Sequence, residues 1–97
     1  MDPKFYVYIL ASSSYGTLYI GMTSDLIRRV HEHREHADSK SFTARYSVTR
    51  LVYFEVFDDP ENAILREKRL KKWNRQWKIN LIQQDNPDWH DLYPSLA

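Results

Sequence analysis

The chain has no cysteine and only two glycines among its 97 residues. Without cysteine there is no disulfide, no thiolate zinc site and no thiol nucleophile, a pattern that suits a reducing cytoplasm. Gly16 and Gly21 alone cannot build a glycine-rich phosphate loop. No serine stands in the G-x-S-x-G setting of a nucleophile elbow. Long apolar runs are missing too. The opening MDPKFYVYIL begins with an acid and is too briefly apolar for a signal peptide or a membrane helix. A cytoplasmic protein with no membrane partner is the expectation. Length and a hydrophobic content of 42% suit one domain spanning 1–97, its core at about 4–84 and a tail at 85–97 folded onto it.

Charge is nearly balanced at +1 but unevenly spread. Between Asn62 and Ile82 stand seven basic residues, Arg66, Lys68, Arg69, Lys71, Lys72, Arg75 and Lys78, against Glu67 alone. Such a stretch suits an anionic polymer, and Lys68, Lys71 and Lys72 are candidate nucleic-acid contacts. A solvated helix face is the simpler alternative.

Phe5 to Ala11 is aromatic and β-branched enough for a strand, and Thr17 to Met22 for a second. Serines and Gly16 between them are turn chemistry, with Gly16 able to take a positive φ. A hairpin centred between Ser13 and Ser14 sets Tyr8 opposite Tyr19, so that both phenols leave one face. Thr23, Ser24 and Asp25 offer caps for a helix from Leu26 to about His36 or Ala37. On it Arg29 and His33 are four apart and point the same way. Ala37 to Thr49 reads as a polar loop whose Arg45 can reach a phosphate. Leu51 to Phe57 is a central strand. Asp59-Pro60-Glu61 starts a second helix that runs to Lys72 or Asn74. A shorter helix over Gln76 to Gln84 follows, and Trp89, Leu92 and Tyr93 are expected to pack back on the body.

Glu67 is out of place. It lies four after Ala63 and three before Leu70, which puts a carboxylate on an apolar stripe. A charge there needs a basic partner, a path to water or a cation. Mg²⁺, which takes few carboxylates and keeps its waters, is one such cation. Arg29 can be an ion-pair member or a planar donor to phosphate. Tyr8 and Tyr19, taken singly, are ordinary sheet aromatics. The HEHREH cluster (His31, His33, His36) invites zinc, but an HExxH pattern from His31 needs histidine where Glu35 stands.

The pattern Tyr6-Val7-Tyr8, a ten-residue spacer, then Tyr19-Ile20-Gly21 resembles the GIY-YIG nuclease superfamily. Arg29 stands ten residues after Tyr19 and His33 four further on, where that family carries its arginine and a second polar group. Ala63-Ile64-Leu65-Arg66-Glu67 is similar to its glutamate helix. Nearly the whole chain is similar to the small stand-alone bacterial branch. The resemblance implies an α+β domain, a three-stranded antiparallel sheet flanked by about three helices. It implies an endonuclease cutting nucleic acid, DNA more readily than RNA, in repair or recombination, with one Mg²⁺ or Mn²⁺. Glu67 would hold the metal. Tyr19 or Tyr8 would orient and deprotonate water, Arg29 would stabilise the phosphorane, and His33 would bind phosphate or assist proton transfer. Tyr6 replaces the first motif's glycine, Met22 follows the second motif, and Asn80 is only a loose match to a late asparagine. A nucleic-acid-binding module of the same fold with little or no cleavage is the alternative; a protein partner is not specified.

Overall fold

The computed structural model describes residues 3–35 and 41–96. Strands β1 (Phe5–Ala11), β2 (Leu18–Thr23) and β3 (Arg50–Phe57) form one antiparallel sheet in the order β2-β1-β3. Alternation along β1 divides the core. Val7, Ile9 and Ala11 face one side, where they meet Ala63 and Leu70 of α3 (Pro60–Lys72) and Ile79 and Ile82 of α4 (Arg75–Asp85). Tyr8 and Leu10 face the other, against Leu26 and Val30 of α1 (Leu26–Arg34). Two short helices also lie in the described chain, α2 (Phe42–Arg45) and α5 (Tyr93–Leu96). The result is the expected α+β architecture, a three-stranded sheet between helical layers.

The helix ends follow local chemistry. Asp25 accepts from the Arg28 N–H at the start of α1, Asp59 from Asn62 N–H at α3, and Asn74 from Trp77 N–H at α4. Trp73 closes α3 in an extended conformation, so the break expected near Asn74 is a C-cap followed at once by an N-cap. No helix among the described residues is long and apolar enough to cross a membrane.

The hairpin register differs from expectation. Tyr8 pairs with Gly21, and Leu10 with Tyr19, which moves the turn centre to Ser14–Tyr15. Tyr15, not Gly16, adopts the positive φ, at 57°. Ser12 and Thr17 close the loop through two hydrogen bonds, one from Ser12 N to Thr17 O and one from Thr17 N to Ser12 Oγ. The displacement is two residues, so side-chain parity is kept and both phenols stay on one face.

Two further expectations change. Helix α1 stops at Arg34, with Glu35 as its C-cap, short of His36 and Ala37, which lie outside the described residues. The stretch expected to be loop contains α2, capped by Ser41, whose Oγ accepts from Ala44 N at 3.2 Å. At four residues this helix is too short to show an apolar period in sequence.

The central strand is β1, not the apolar run of Leu51 to Phe57, which forms the edge strand β3, and the chain end packs against it. Trp89 is 1% exposed, Leu92 N donates to Leu51 O, and Asp91 accepts from Leu51 N and from Arg34. Buried Asn86 donates to the carbonyl of Val52, the extra residue of a bulge between Ile9 and Leu10.

Candidate active site

The site begins with a missing side chain. Gly21 lies across the strand pair from Tyr8, and a Cβ on it would stand 2.5 Å from Tyr8 Oη. Because residue 21 is glycine, the Tyr8 ring can lie over β2 with its hydroxyl above Gly21. β2 is an edge strand, and α3 packs beside it.

Helix α1 brings the next groups. His33 is 7% exposed, with Nε2 3.1 Å from Tyr8 Oη and Nδ1 2.8 Å from Thr43 Oγ1. Burial and the neighbouring Arg29 cation push its pKa down to about 4, so the imidazole is neutral at pH 7. A neutral imidazole has one donor and one acceptor nitrogen. Tyr8 is 1% exposed, and its pKa rises to about 12, first through burial and then through Tyr19; the Arg29 guanidinium opposes the rise and Glu67 adds to it. The phenol is a donor at neutral pH. The pairing is satisfied when Tyr8 donates to Nε2 and Nδ1–H donates to Thr43. Arg29 itself is exposed and ion-paired with Glu32 at 3.3 Å.

Tyr19 lies 6.3 Å from Tyr8 and 5.4 Å from His33, ring centre to ring centre. Glu67 comes from the other helical layer. Its partner is Lys71, one turn on, at 3.3 Å, and its charge acts on the Tyr8 phenol. Lys71 shares a cleft with Leu18, Tyr19, Ile20 and Phe42, which puts this turn of α3 at the open edge of β2. Tyr8, Tyr19 and His33 lie together on the α1 face, the Arg29 charge acts on both Tyr8 and His33, and Glu67 is linked to this group by the charge it exerts on Tyr8 from α3.

Among the described residues no group of three or more histidine and acidic side chains is placed to hold a metal ion. Glu67 is a carboxylate whose charge acts on the Tyr8 phenol. Its hard oxygen suits Mg²⁺ or Mn²⁺ held jointly with waters and substrate phosphate, not a closed protein cage. Of the HEHREH histidines, His33 has both nitrogens engaged and His31 is exposed; His36 lies outside the described residues.

The basic stretch divides. Arg66 grips Glu55 through two nitrogens at 2.8–3.2 Å, and Arg75 donates to the carbonyls of Tyr15 and Gly16. Both hold the fold. Lys68 and Lys72 are exposed and have no ion pair among the described residues. Arg45 stacks over Tyr46 at 5.9 Å. Asn80 accepts from Gln76 within α4 and joins none of these groups through a hydrogen bond.

Sequence reasoning did not single out Thr43 and Phe42. Thr43 is 2% exposed and orients His33, and Ser41 Oγ stands 3.2 Å from its hydroxyl. Phe42 stacks on Tyr19 at 6.4 Å. The available signal was small: an aromatic in a polar stretch, one place after a serine able to cap.

A GIY-YIG catalytic domain model matches residues 4–80. A UPF0213 protein of Syntrophus aciditrophicus is 36% identical over 85 residues, covering 88% of this chain and 95% of that one. A UPF0213 protein of Haloquadratum walsbyi is 37% identical over 84 residues, covering 87% and 92%. The solution structure of a UPF0213 protein from Bacillus halodurans superposes with a TM-score of 0.56 at 30% identity, covering 91% and 92%. The chain therefore belongs to the GIY-YIG catalytic-domain family, among its small UPF0213 proteins.

Proposed function

We propose that this protein is a metal-dependent endonuclease that hydrolyses phosphodiester bonds in nucleic acid, with DNA its preferred substrate. The observation that supports the reading is the hydrogen bond between the Tyr8 phenol and the neutral His33 imidazole, with the Arg29 and Glu67 charges both acting on that phenol. Binding alone gives no reason for Glu67 to face a phosphate.

In the proposed reaction, water oxygen bonds to phosphorus and the bond from phosphorus to the 3′-oxygen breaks. Tyr8 accepts the proton of the attacking water as it passes its own to His33 Nε2. A phenol at about pKa 12 cannot act alone at neutral pH, so the imidazole is needed. Thr43 receives the Nδ1–H and keeps Nε2 turned to the phenol. An anionic phosphodiester entering beside His33 raises its proton affinity and favours the transfer. Tyr19 orients the water from the neighbouring ring. Arg29 offers planar donors to oxygens whose charge grows only in the transition state. A bound Mg²⁺ or Mn²⁺, held by Glu67, would polarise the phosphoryl oxygen and ease departure of the 3′-oxygen. Arg45, Lys68, Lys71 and Lys72 would supply backbone contacts. A cytoplasmic location and a role in repair or recombination fit this activity.

One observation favours the second reading, a binding module without cleavage. Glu67 already has Lys71 as counter-ion, so its charge is balanced without metal. Cleavage assays with Mg²⁺ or Mn²⁺ on plasmid, branched and single-stranded DNA, and on RNA, decide between them. Product formation lost in Glu67→Ala, with nucleic-acid binding retained, supports the nuclease. Binding by the wild type with no product under any metal supports the module.

A further inference from the structure

Beyond the reacting groups lies a row of rings that the proposed chemistry does not use. Phe42 and Tyr46, four apart across α2, are 47% and 50% exposed, while Thr43 between them is buried against His33. The Phe42 ring lies 4.8 Å from that of Tyr46, and 6.4 Å from that of Tyr19 at an interplanar angle of 28°. The rings thus continue from buried Tyr8 through Tyr19 to solvent. Exposed apolar groups mark a contact surface when they are contiguous, as these rings are, rather than scattered. Cations surround this one. Lys71 and Lys78 line the cleft shared by Leu18, Tyr19, Ile20 and Phe42, and the Arg45 guanidinium lies over Tyr46.

We propose that Phe42 and Tyr46 form a stacking subsite for an unpaired nucleobase next to Tyr19 and the scissile phosphate, with Lys71, Lys78 and Arg45 holding the flanking phosphates. The inference rests on the nuclease reading and deepens it by naming what the site must find in its substrate. Aromatic faces bordered by cations fit a ligand that is both planar and anionic. An apolar peptide has no use for the cations, and a bare anion has none for the rings. Bases inside a duplex have both faces covered by their neighbours, so only an unpaired or extruded base can dock. Stacking of this kind tolerates any base identity, which gives a preference for structure rather than sequence.

The test is binding in the presence of a chelator, so that cleavage plays no part. Wild type is titrated against a single-stranded oligonucleotide carrying 2-aminopurine and against the fully paired duplex of the same sequence. The expected result is tighter binding of the single strand with quenching of the 2-aminopurine. Phe42→Ala is expected to lose the quenching and to weaken binding between about fivefold and a hundredfold, the range for loss of one stacked base. Phe42→Tyr keeps a ring and is expected to bind as wild type, which separates stacking from any folding defect of the alanine variant. Trp77→Ala, at an exposed aromatic away from this cleft, is expected to change nothing. Equal affinity for duplex and single strand, or quenching that survives in Phe42→Ala, overturns the subsite and leaves the nuclease reading standing. Failure to bind any nucleic acid overturns both.

Discussion

Gly21 and Tyr8 face each other across the hairpin so closely that a methyl group at residue 21 would stand 2.5 Å from the Tyr8 hydroxyl. The glycine of the second tyrosine motif is thus explained by clearance, not by backbone freedom, since no glycine among the described residues has a positive φ. Gly21→Ala is expected to push the phenol off His33. Overpacking of this kind costs about 1–3 kcal/mol of stability. Thermal melts should show a folded but less stable variant, and cleavage should fall as far as it does in Tyr8→Phe.

His33 gives a pH signature. Its folded-state pKa of about 4 lies below the 6.5 of a free imidazole. Between those values the unfolded chain takes up a proton that the folded chain refuses. Stability therefore falls as pH drops from about 6.5 towards about 4, by an amount on the order of 3 kcal/mol. His33→Gln removes this titration. Its melting temperature should change less than that of the wild type between pH values of about 7 and about 5.

Lys71 competes for the carboxylate that the metal would use. The pair is half exposed on the lysine side, and such i,i+4 contacts are worth only about 0.3–0.5 kcal/mol. Lys71→Gln should lower the Mn²⁺ concentration for half-maximal cleavage by about twofold, a midpoint shift that is read independently of the maximal rate. A midpoint that rises would mean Lys71 helps to assemble the site.

The basic residues of α3 should separate by readout. Arg66 is the two-pronged partner of Glu55, and its cation holds that carboxyl below the usual range. Arg66→Gln is expected to cost about 1–3 kcal/mol of stability and to leave the salt dependence of binding unchanged. Lys72→Gln should do the reverse, with little effect on melting. Its log–log salt slope should fall by about 0.7–0.9 if it contacts one phosphate.

Much of the fold was legible because its signals are local. β1 falls where its aromatic and β-branched run lies, and α3 starts where Asp59 and Pro60 place it. The hairpin register was not legible, because Tyr15 took the left-handed conformation that glycine suggested for Gly16. Parity along a strand survived that shift, so the shared face of Tyr8 and Tyr19 was readable although their pairing was not. Helix α2 was invisible, four residues in a polar stretch, and with it went Thr43 and Phe42. The run of cations looked uniform in sequence. Only contacts with Glu55 and with the hairpin carbonyls distinguish Arg66 and Arg75 from Lys68 and Lys72.

The most direct measurement is cleavage of a labelled DNA by wild type and by Glu67→Ala, Arg29→Ala and Tyr8→Phe, each purified identically and assayed with Mg²⁺ and with chelator. The account predicts cutting by wild type with Mg²⁺ only, cutting lost in all three variants, and DNA binding kept in Glu67→Ala. Equal cutting by all four proteins, or by wild type in chelator, would contradict it.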